Sequence, residues 1–390
     1  MSILLLLLFL LYVSLTLWLS YHWQRMPFFL PSAGFTTGAK VSLIIPVRNE
    51  AGNILSLLQD LDAQEWEIGR LCTPDVFEVI VVNDHSEDDT EALVNSFRPK
   101  HFALHLLKLY TPSGFSGSHK KLAISQAVAH ASGEIIMTTD GDCRVGPRWI
   151  ISMRQALLGK KAVMLSGPVT FYQEASPFEK LQTIEFASLV GTGAACMAAG
   201  KPNMCNGANL VFLKSAFVEV NGYEGSMHIP SGDDEFLLQK LKARYPGRIF
   251  FLKCAEAVVR TKAQPDLRSF YHQRKRWAGK WKLHKNPLTA LLALFIFTFH
   301  LMLLLGAGMA LAGRLDFRLI AALLLAKAVA ELLLIFPVLR LMHKKLSMLN
   351  FLLLQLIYSA YAVFFGIVAN FGGYRWKSRS YSHKTKPSQA

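Results

Sequence analysis

Two textures of hydrophobic pattern divide this chain. Long uninterrupted apolar runs lie toward its ends, and short ones, each closed by a polar cluster, fill the middle. The opening run, residues 2–23, holds no Asp, Glu, Lys or Arg, and a helix of that length crosses the roughly 30 Å hydrocarbon layer of a bilayer. Residues 288–312, 317–339 and 349–371 form three further runs long enough to span. Between them VSLII (41–45), FEVIVV (77–82) and EIIMTT (134–139) read as buried strands, while residues 50–61, those from about 88 and those at 119–131 read as helices. Strands separated by helices predict an α/β domain with a mainly parallel sheet.

The flanks orient the apolar runs. Trp18, Tyr21 and Trp23 fall at the far interface of the first run, and Arg25 follows it instead of preceding it. That order argues for an uncleaved anchor over a signal peptide and places the next segment in the cytoplasm. Lys327 and Glu331 sit at i,i+4 spacing inside the third run, so a structural pair hidden from lipid is expected, with a transport role as the alternative. The basic stretch 340–345 reads as cytoplasmic and the turn near 313–316 as its opposite end. Three crossings would then leave the basic tail outside, against the positive-inside rule. A re-entrant or interfacial segment would remove the conflict.

Composition narrows the class. Of the 390 residues 52% are hydrophobic, too many for an ordinary soluble protein. The net charge of +15 does not point to nucleic acid, because six Lys and Arg crowd between positions 274 and 285 beside an apolar run. Anionic headgroups or a phosphorylated substrate suit that placement. The five cysteines make no paired CxxC spacing, which suggests neither a zinc site nor a disulfide framework.

Polar clusters follow the strands. PVRNE stands after the first, NDHSEDDT after the second and DGDCR after the third. Turns and helix caps explain each cluster alone. Parallel strands point the same way, however, so together their ends would gather these side chains in one crevice. Asp140 and Asp142, separated by one residue, suit a hard divalent cation such as Mg2+ or Mn2+.

With VSLIIPVRNEAGNI, VVNDHSEDDT, HKKLAISQAVAHASGEIIMTTDGDC, CNGANLVFLKSAF, SGDDEFLL and QRKRW in that order, the chain resembles a membrane-bound family 2 glycosyltransferase, over about residues 41–277. The resemblance implies an α/β GT-A fold, a Rossmann-like nucleotide-sugar-binding domain, plus transmembrane helices. It implies that Asp84 reads the base of a UDP-sugar with Pro46, Arg48 and Glu50 nearby, and that Lys120 or Lys121 lies against the nucleotide. Asp140 and Asp142 would hold the donor and its metal. Asp234 would be the base that deprotonates the acceptor, with Asp233 before it and Asn206 and Asn209 beside a sugar. Gln273, Arg276 and Trp277 match QxxRW, whose arginine would neutralise the leaving diphosphate and whose indole would meet a sugar. Gly141 stands where many relatives have Ala, and His85 where Gly is common, which leaves the base specificity open. Arg274, Lys275, Lys280 and Lys282 remain for lipid headgroups.

These parts organise the chain as an anchor (1–24), a cytoplasmic GT-A domain (38–262), an interfacial QxxRW helix (263–286), three membrane helices (287–313, 317–340, 347–372) and a basic tail (373–390). The expected protein is multi-pass, in the cell membrane, and takes a nucleotide-sugar and a lipid or glycan acceptor. An inverting transfer to a lipid or lipid-linked acceptor is the first reading. A processive polysaccharide or oligosaccharide synthase is the second, and a non-catalytic membrane scaffold the third.

Overall fold

The computed structural model describes residues 2–34, 38–279, 287–376 and 379–381. From the N-terminus the chain forms α1 (Ser2–Arg25), β1 (Val41–Val47), α2 (Ile54–Asp62), a short hairpin β2 and β3 (Glu65–Glu67, Arg70–Leu71), β4 (Phe77–Asn83), α3 (Thr90–Ser96) and β5 (Ala103–Lys108). Next come α4 (His119–His130), β6 (Ile135–Thr138), α5 (Trp149–Gly159), β7 (Met164–Ser166), β8 (Val169–Tyr172) and α6 (Pro177–Ala198). After β9 (Leu210–Leu213) follow α7 (Lys214–Glu219), α8 (Asp233–Arg244), β10 (Ile249–Phe251), β11 (Val259–Lys262) and α9 (Leu267–Ala278). Helices α10 (Pro287–Leu311), α11 (Phe317–Leu341) and α12 (Met348–Val368) precede a hairpin of β12 and β13 (Tyr374–Trp376, Arg379–Tyr381).

Two compact units share these elements. One holds residues 26–173 and 196–262 and is built on a seven-stranded sheet in the order β10-β7-β9-β6-β1-β4-β5. The sheet is mainly parallel, but β9 runs antiparallel to both β6 and β7. Both faces are covered, and for that reason β4 reads FEVIVVN with every residue buried. The chain adds β4 and β5 on one side of β1, then returns through α4 to place β6 on the other. That reversal opens a crevice beyond the carboxyl ends of β1 and β6. Pairing of β1 with β6 stops at Ile44, so Pro46 lies past the stretch where that neighbour would need its missing N–H.

The other unit holds residues 1–25, 174–195 and 263–390, so a segment from inside the expected 38–262 domain joins the apolar helices. Among the described residues, four helices are long and apolar enough to cross a membrane: Ile3–Arg25, Thr289–Leu311, Phe317–Leu341 and Met348–Val368. Lys327 and Glu331 pair at 2.8 Å as their spacing predicts. Gln355 closes a ring with them, accepting from Lys327 Nζ at 2.8 Å and donating to Glu331 Oε2 at 2.8 Å, and the Tyr12 hydroxyl also donates to Glu331. Three helices thereby share one satisfied polar cluster, the condition for holding charge among apolar helices. Phe365 of α12 packs on Phe270 and Tyr271 of α9, and β12 lies beside α9.

One buried carboxylate ties the first unit's sheet together. Glu78 of β4 accepts from Ser42 Oγ at 2.5 Å and from both the N–H and the hydroxyl of Ser132 at 2.7 Å. Burial pushes its pKa up, but those hydrogen bonds and Lys40 outweigh burial and bring it from 4.5 to about 2. A depressed carboxylate stabilises the fold above its unfolded value and loses that contribution as pH falls through the folded one. Glu78→Gln should therefore cost about 3 kcal/mol near neutral pH, since each tenfold preference for the ionised form is worth about 1.4 kcal/mol. Thermal unfolding in detergent should show the gap to wild type closing between about pH 4.5 and 2. A gap that stays constant across that window contradicts this account.

Candidate active site

The crevice of the sheet unit is assembled by loops that lock onto one another. Arg48, just past β1, donates from Nη1 to the carbonyls of Asp84 and His85 at 2.9 and 2.7 Å and from Nη2 to Glu87 at 2.7 Å. The Asn49 carbonyl side chain accepts from Glu87 N at 2.8 Å, and Glu50 N donates to Thr90 Oγ1 at 2.8 Å. The ends of β1 and β4 are thus joined through polar atoms. Asp84 is buried, its N–H donates to Val47 O at 2.8 Å, and its Oδ1 lies 3.2 Å from Nδ1 of both His85 and His119. His85 takes a left-handed backbone with φ +54°, a conformation that glycine adopts at less cost.

Opposite, the turn after β6 carries Asp140 and Asp142. Lys120 Nζ contacts Asp140 Oδ1 at 2.6 Å and Asp233 Oδ2 at 3.4 Å, so one ammonium joins the DGD and GDDEF segments. Burial alone would lower the pKa of Lys120, but Asp140, Asp233 and Asp234 outweigh it and hold the ammonium well above the ordinary lysine range. Asp142 Oδ2 accepts from Thr261 Oγ1 at 3.3 Å. Asp233 and Asp234 occupy the first turn of α8, where the helix dipole favours negative charge. Asp234 Oδ2 accepts from Gly207 N at 3.2 Å and Oδ1 from Glu235 N at 2.8 Å.

Two glycines permit these approaches. A Cβ on Gly207 would come 2.9 Å from Asp233 Oδ2, and one on Gly141 would come 2.9 Å from Val47 Cγ1 and 3.0 Å from Glu50 Cγ. Alanine at position 141 would press on the β1 loop. That gives the departure from the resembled pattern a packing reason.

Some expected contacts fall elsewhere. Lys121 is fully buried, donates to the carbonyls of Ser226 and Ile229 at 2.8 and 3.1 Å, and lies over the Phe236 ring at 4.3 Å. It anchors the chain before α8, and Lys120 is the lysine among the acids. Asn209 is buried too, taking the Trp149 indole N–H at 2.9 Å and donating to the carbonyls of Pro168 and Ala257 at 2.8 Å each. Both of its amide N–H groups are thus engaged in the core. Asn206 accepts from Ala208 N at 3.0 Å and shapes the loop that meets Asp234. His119 was not singled out by sequence pattern; it precedes Lys120 on α4, 35 residues from Asp84.

The dyad Asp140 and Asp142 fits a hard cation. Its donors are carboxylate oxygens, and the ammonium between Asp140 and Asp233 shows that these segments already hold positive charge.

In the helical unit the basic stretch departs from expectation. Arg274 and Lys275 are buried, not presented to headgroups, and Lys280 and Lys282 lie outside the described residues. Arg274 Nη2 donates to Glu185 Oε2 at 2.6 Å, and its guanidinium lies 4.8 Å from the Phe270 ring and 4.3 Å from Trp277. Burial raises the pKa of Glu185 against the opposing pull of Arg274 and of the Tyr361 hydroxyl, which donates at 3.1 Å. Trp277 also stacks on Phe186 with centroids 5.8 Å apart. Gln273 and Arg276 are half-buried on the same helix.

The chain is similar to known proteins. Residues 42–220 match the model of glycosyl transferase family 2, and residues 135–369 that of glycosyl transferase family group 2. A probable glycosyltransferase of Sulfolobus acidocaldarius is 24% identical over 259 residues, covering 64% of this chain and 51% of the relative. A poly-beta-1,6-N-acetyl-D-glucosamine synthase of Staphylococcus aureus is 26% identical over 191 residues, 48% of this chain and 42% of the relative. The chain thus spans about half the length of these relatives. A mannosyltransferase from Pyrobaculum calidifontis, solved with GDP-Man and Mn2+, superposes with a TM-score of 0.55 at 20% identity, covering 95% of this chain and 96% of that one. Its fold is the GT-A arrangement expected from the sequence.

The Arg274 and Glu185 pair yields a direct test. Removing one partner leaves a buried charge alone, so Arg274→Ala should destabilise the protein by about 3 to 5 kcal/mol, while the double change Arg274→Met with Glu185→Leu recovers most of that loss. Thermal unfolding in detergent measures both. A headgroup collar predicts almost no change for Arg274→Ala.

Proposed function

The chain belongs to glycosyl transferase family group 2, and from that membership we propose that it moves a sugar from a nucleotide-sugar, with UDP as the nucleotide, to a lipid or lipid-linked acceptor with inversion. The observation that carries the reading is the convergence of Asp140 and Asp233 on Lys120, which joins the donor and acceptor motifs. Asp84, held beside the Arg48 loop, binds the base of the nucleotide. Asp234 takes the proton of the acceptor hydroxyl, and its two N–H partners fix the orientation of the carboxylate for that transfer. Asp140 and Asp142 would hold a Mg2+ or Mn2+ ion, which when bound offsets negative charge on the diphosphate. The planar pair of donors on Arg276 suits a diphosphate group. The acceptor attacks the anomeric carbon as the bond to the diphosphate breaks, so one displacement suffices and no covalent nucleophile is required.

Four apolar helices among the described residues support a multi-pass membrane protein, and Arg25 on the C-terminal flank of the first supports a transferase domain on the cytoplasmic side. The position of β12 beside α9 supports placing the start of the basic tail, residues 374–376, on the side of the QxxRW helix. That arrangement requires one C-terminal segment not to cross, in keeping with the positive-inside rule. A processive synthase is the second reading, favoured by the similarity to the staphylococcal synthase. Product length separates them: a single added sugar supports the first and a ladder the second.

Asp234→Asn should leave nucleotide binding intact and lower transfer by about two to four orders of magnitude, the range for loss of a general base. Asp142→Ala should abolish the metal-dependent part of UDP binding, and excess EDTA should do the same to wild type. Transfer by Asp234→Asn within a few-fold of wild type would move the base to another residue.

A further inference from the structure

The crevice holds a second group of metal-ligating side chains, separate from the oxygen-only pair at positions 140 and 142. Asp84, His85 and His119 each offer one ligand atom, and the three atoms lie within 4.8 Å of one another. Asp84 Oδ1 is 3.2 Å from His85 Nδ1 and 3.2 Å from His119 Nδ1. Ligands bound to a tetrahedral ion at about 2.0 to 2.1 Å stand about 3.3 Å apart, so both separations match edges of a zinc-sized tetrahedron. Two segments, distant in sequence, fix the parts. Asp84 and His85 follow β4, where Arg48 clamps their two carbonyls, and His119 opens α4 with its ring edge-on to Phe115 at 5.4 Å. His85 is half-exposed and gives an ion a way in. The nearby Arg48 charge is compensated by Glu87 at 2.7 Å.

We propose that Asp84, His85 and His119 bind a borderline transition-metal ion such as Zn2+, and that the ion bars the nucleotide base from the crevice. Two imidazole nitrogens and one carboxylate oxygen select Zn2+, Co2+ or Cu2+ over Mg2+, whereas the aspartates at 140 and 142 favour the hard ions. One crevice would then carry an oxygen site that supports turnover and a nitrogen site that stops it. The exclusion of the base rests on the reading of Asp84 given above; the binding of the ion does not.

The test uses the full chain in detergent, titrated with Co2+ and Zn2+ in saturating Mg2+. Wild type should give the intense visible absorption of tetrahedral Co2+, displaced by Zn2+. His85→Ala and His119→Ala should each weaken the ion by about tenfold or more, since removing a ligand costs at least as much as disturbing its support. Asp140→Asn combined with Asp142→Asn should keep the absorption, because those residues belong to the other site. Circular dichroism checks that the histidine variants are folded. UDP should compete with Zn2+ in wild type. Absence of the tetrahedral spectrum, or its survival in both folded histidine variants, overturns the site. Zn2+ binding without competition by UDP overturns the exclusion and leaves the donor reading to its own tests.

Discussion

Carboxylates gathered at the ends of a sheet repel one another, and in this protein the Lys120 ammonium offsets part of that repulsion. Lys120 reaches Asp140 and Asp233 from the first turn of α4. The crevice depends on that placement, because α4 is also the segment that carries the chain from one side of β1 to the other. Topology and charge compensation are therefore linked. The return of the chain places the crevice beyond the carboxyl ends of the paired strands β1 and β6, and the same helix delivers a cation to the acids that line it. Lys121, its neighbour, points into the core and holds the approach to α8, which positions Asp233 and Asp234 from the other direction.

The helical unit follows a similar rule at lower polarity. Two buried cations among its described residues have polar partners within the unit: Arg274 has Glu185, and Lys327 has Glu331 and Gln355. Taking such groups from water is costly, so the pairs contribute more to fixing which helix faces meet than to net stability. Arg274 also lies over Trp277, so the ion pair and the orientation of that indole are one packing unit.

Much of the fold was readable because the central strands are buried on both faces. VSLII and FEVIVV stand out as apolar runs broken once each, by Ser42 and Glu78, and β1 and β4 extend them by only one or two residues. Strands β7, β9 and β10 escape notice since each has three or four residues and no room to display a period. The reversed direction of β9 depends on pairing that no local pattern encodes. At the site, contiguous motifs such as DGD and GDDEF were legible, while rotational questions were not. Lys120 and Lys121 are chemically identical, and only the phase of α4 against the sheet sends one to the acids and the other to the core. The same holds on α9, where the charge count suggested a lipid-facing collar and Arg274 instead meets a glutamate 89 residues away. His119 joins Asp84 only through the fold.

The proposed chemistry is a single displacement at a sugar's anomeric carbon, served by carboxylates at these strand ends. The most direct measurement is the anomeric configuration, by proton NMR, of the product formed by detergent-purified protein from an α-linked UDP-sugar chosen by nucleotide release. The account predicts a β-linked product. An α-linked product would require two displacements or a different mechanism, and would contradict it.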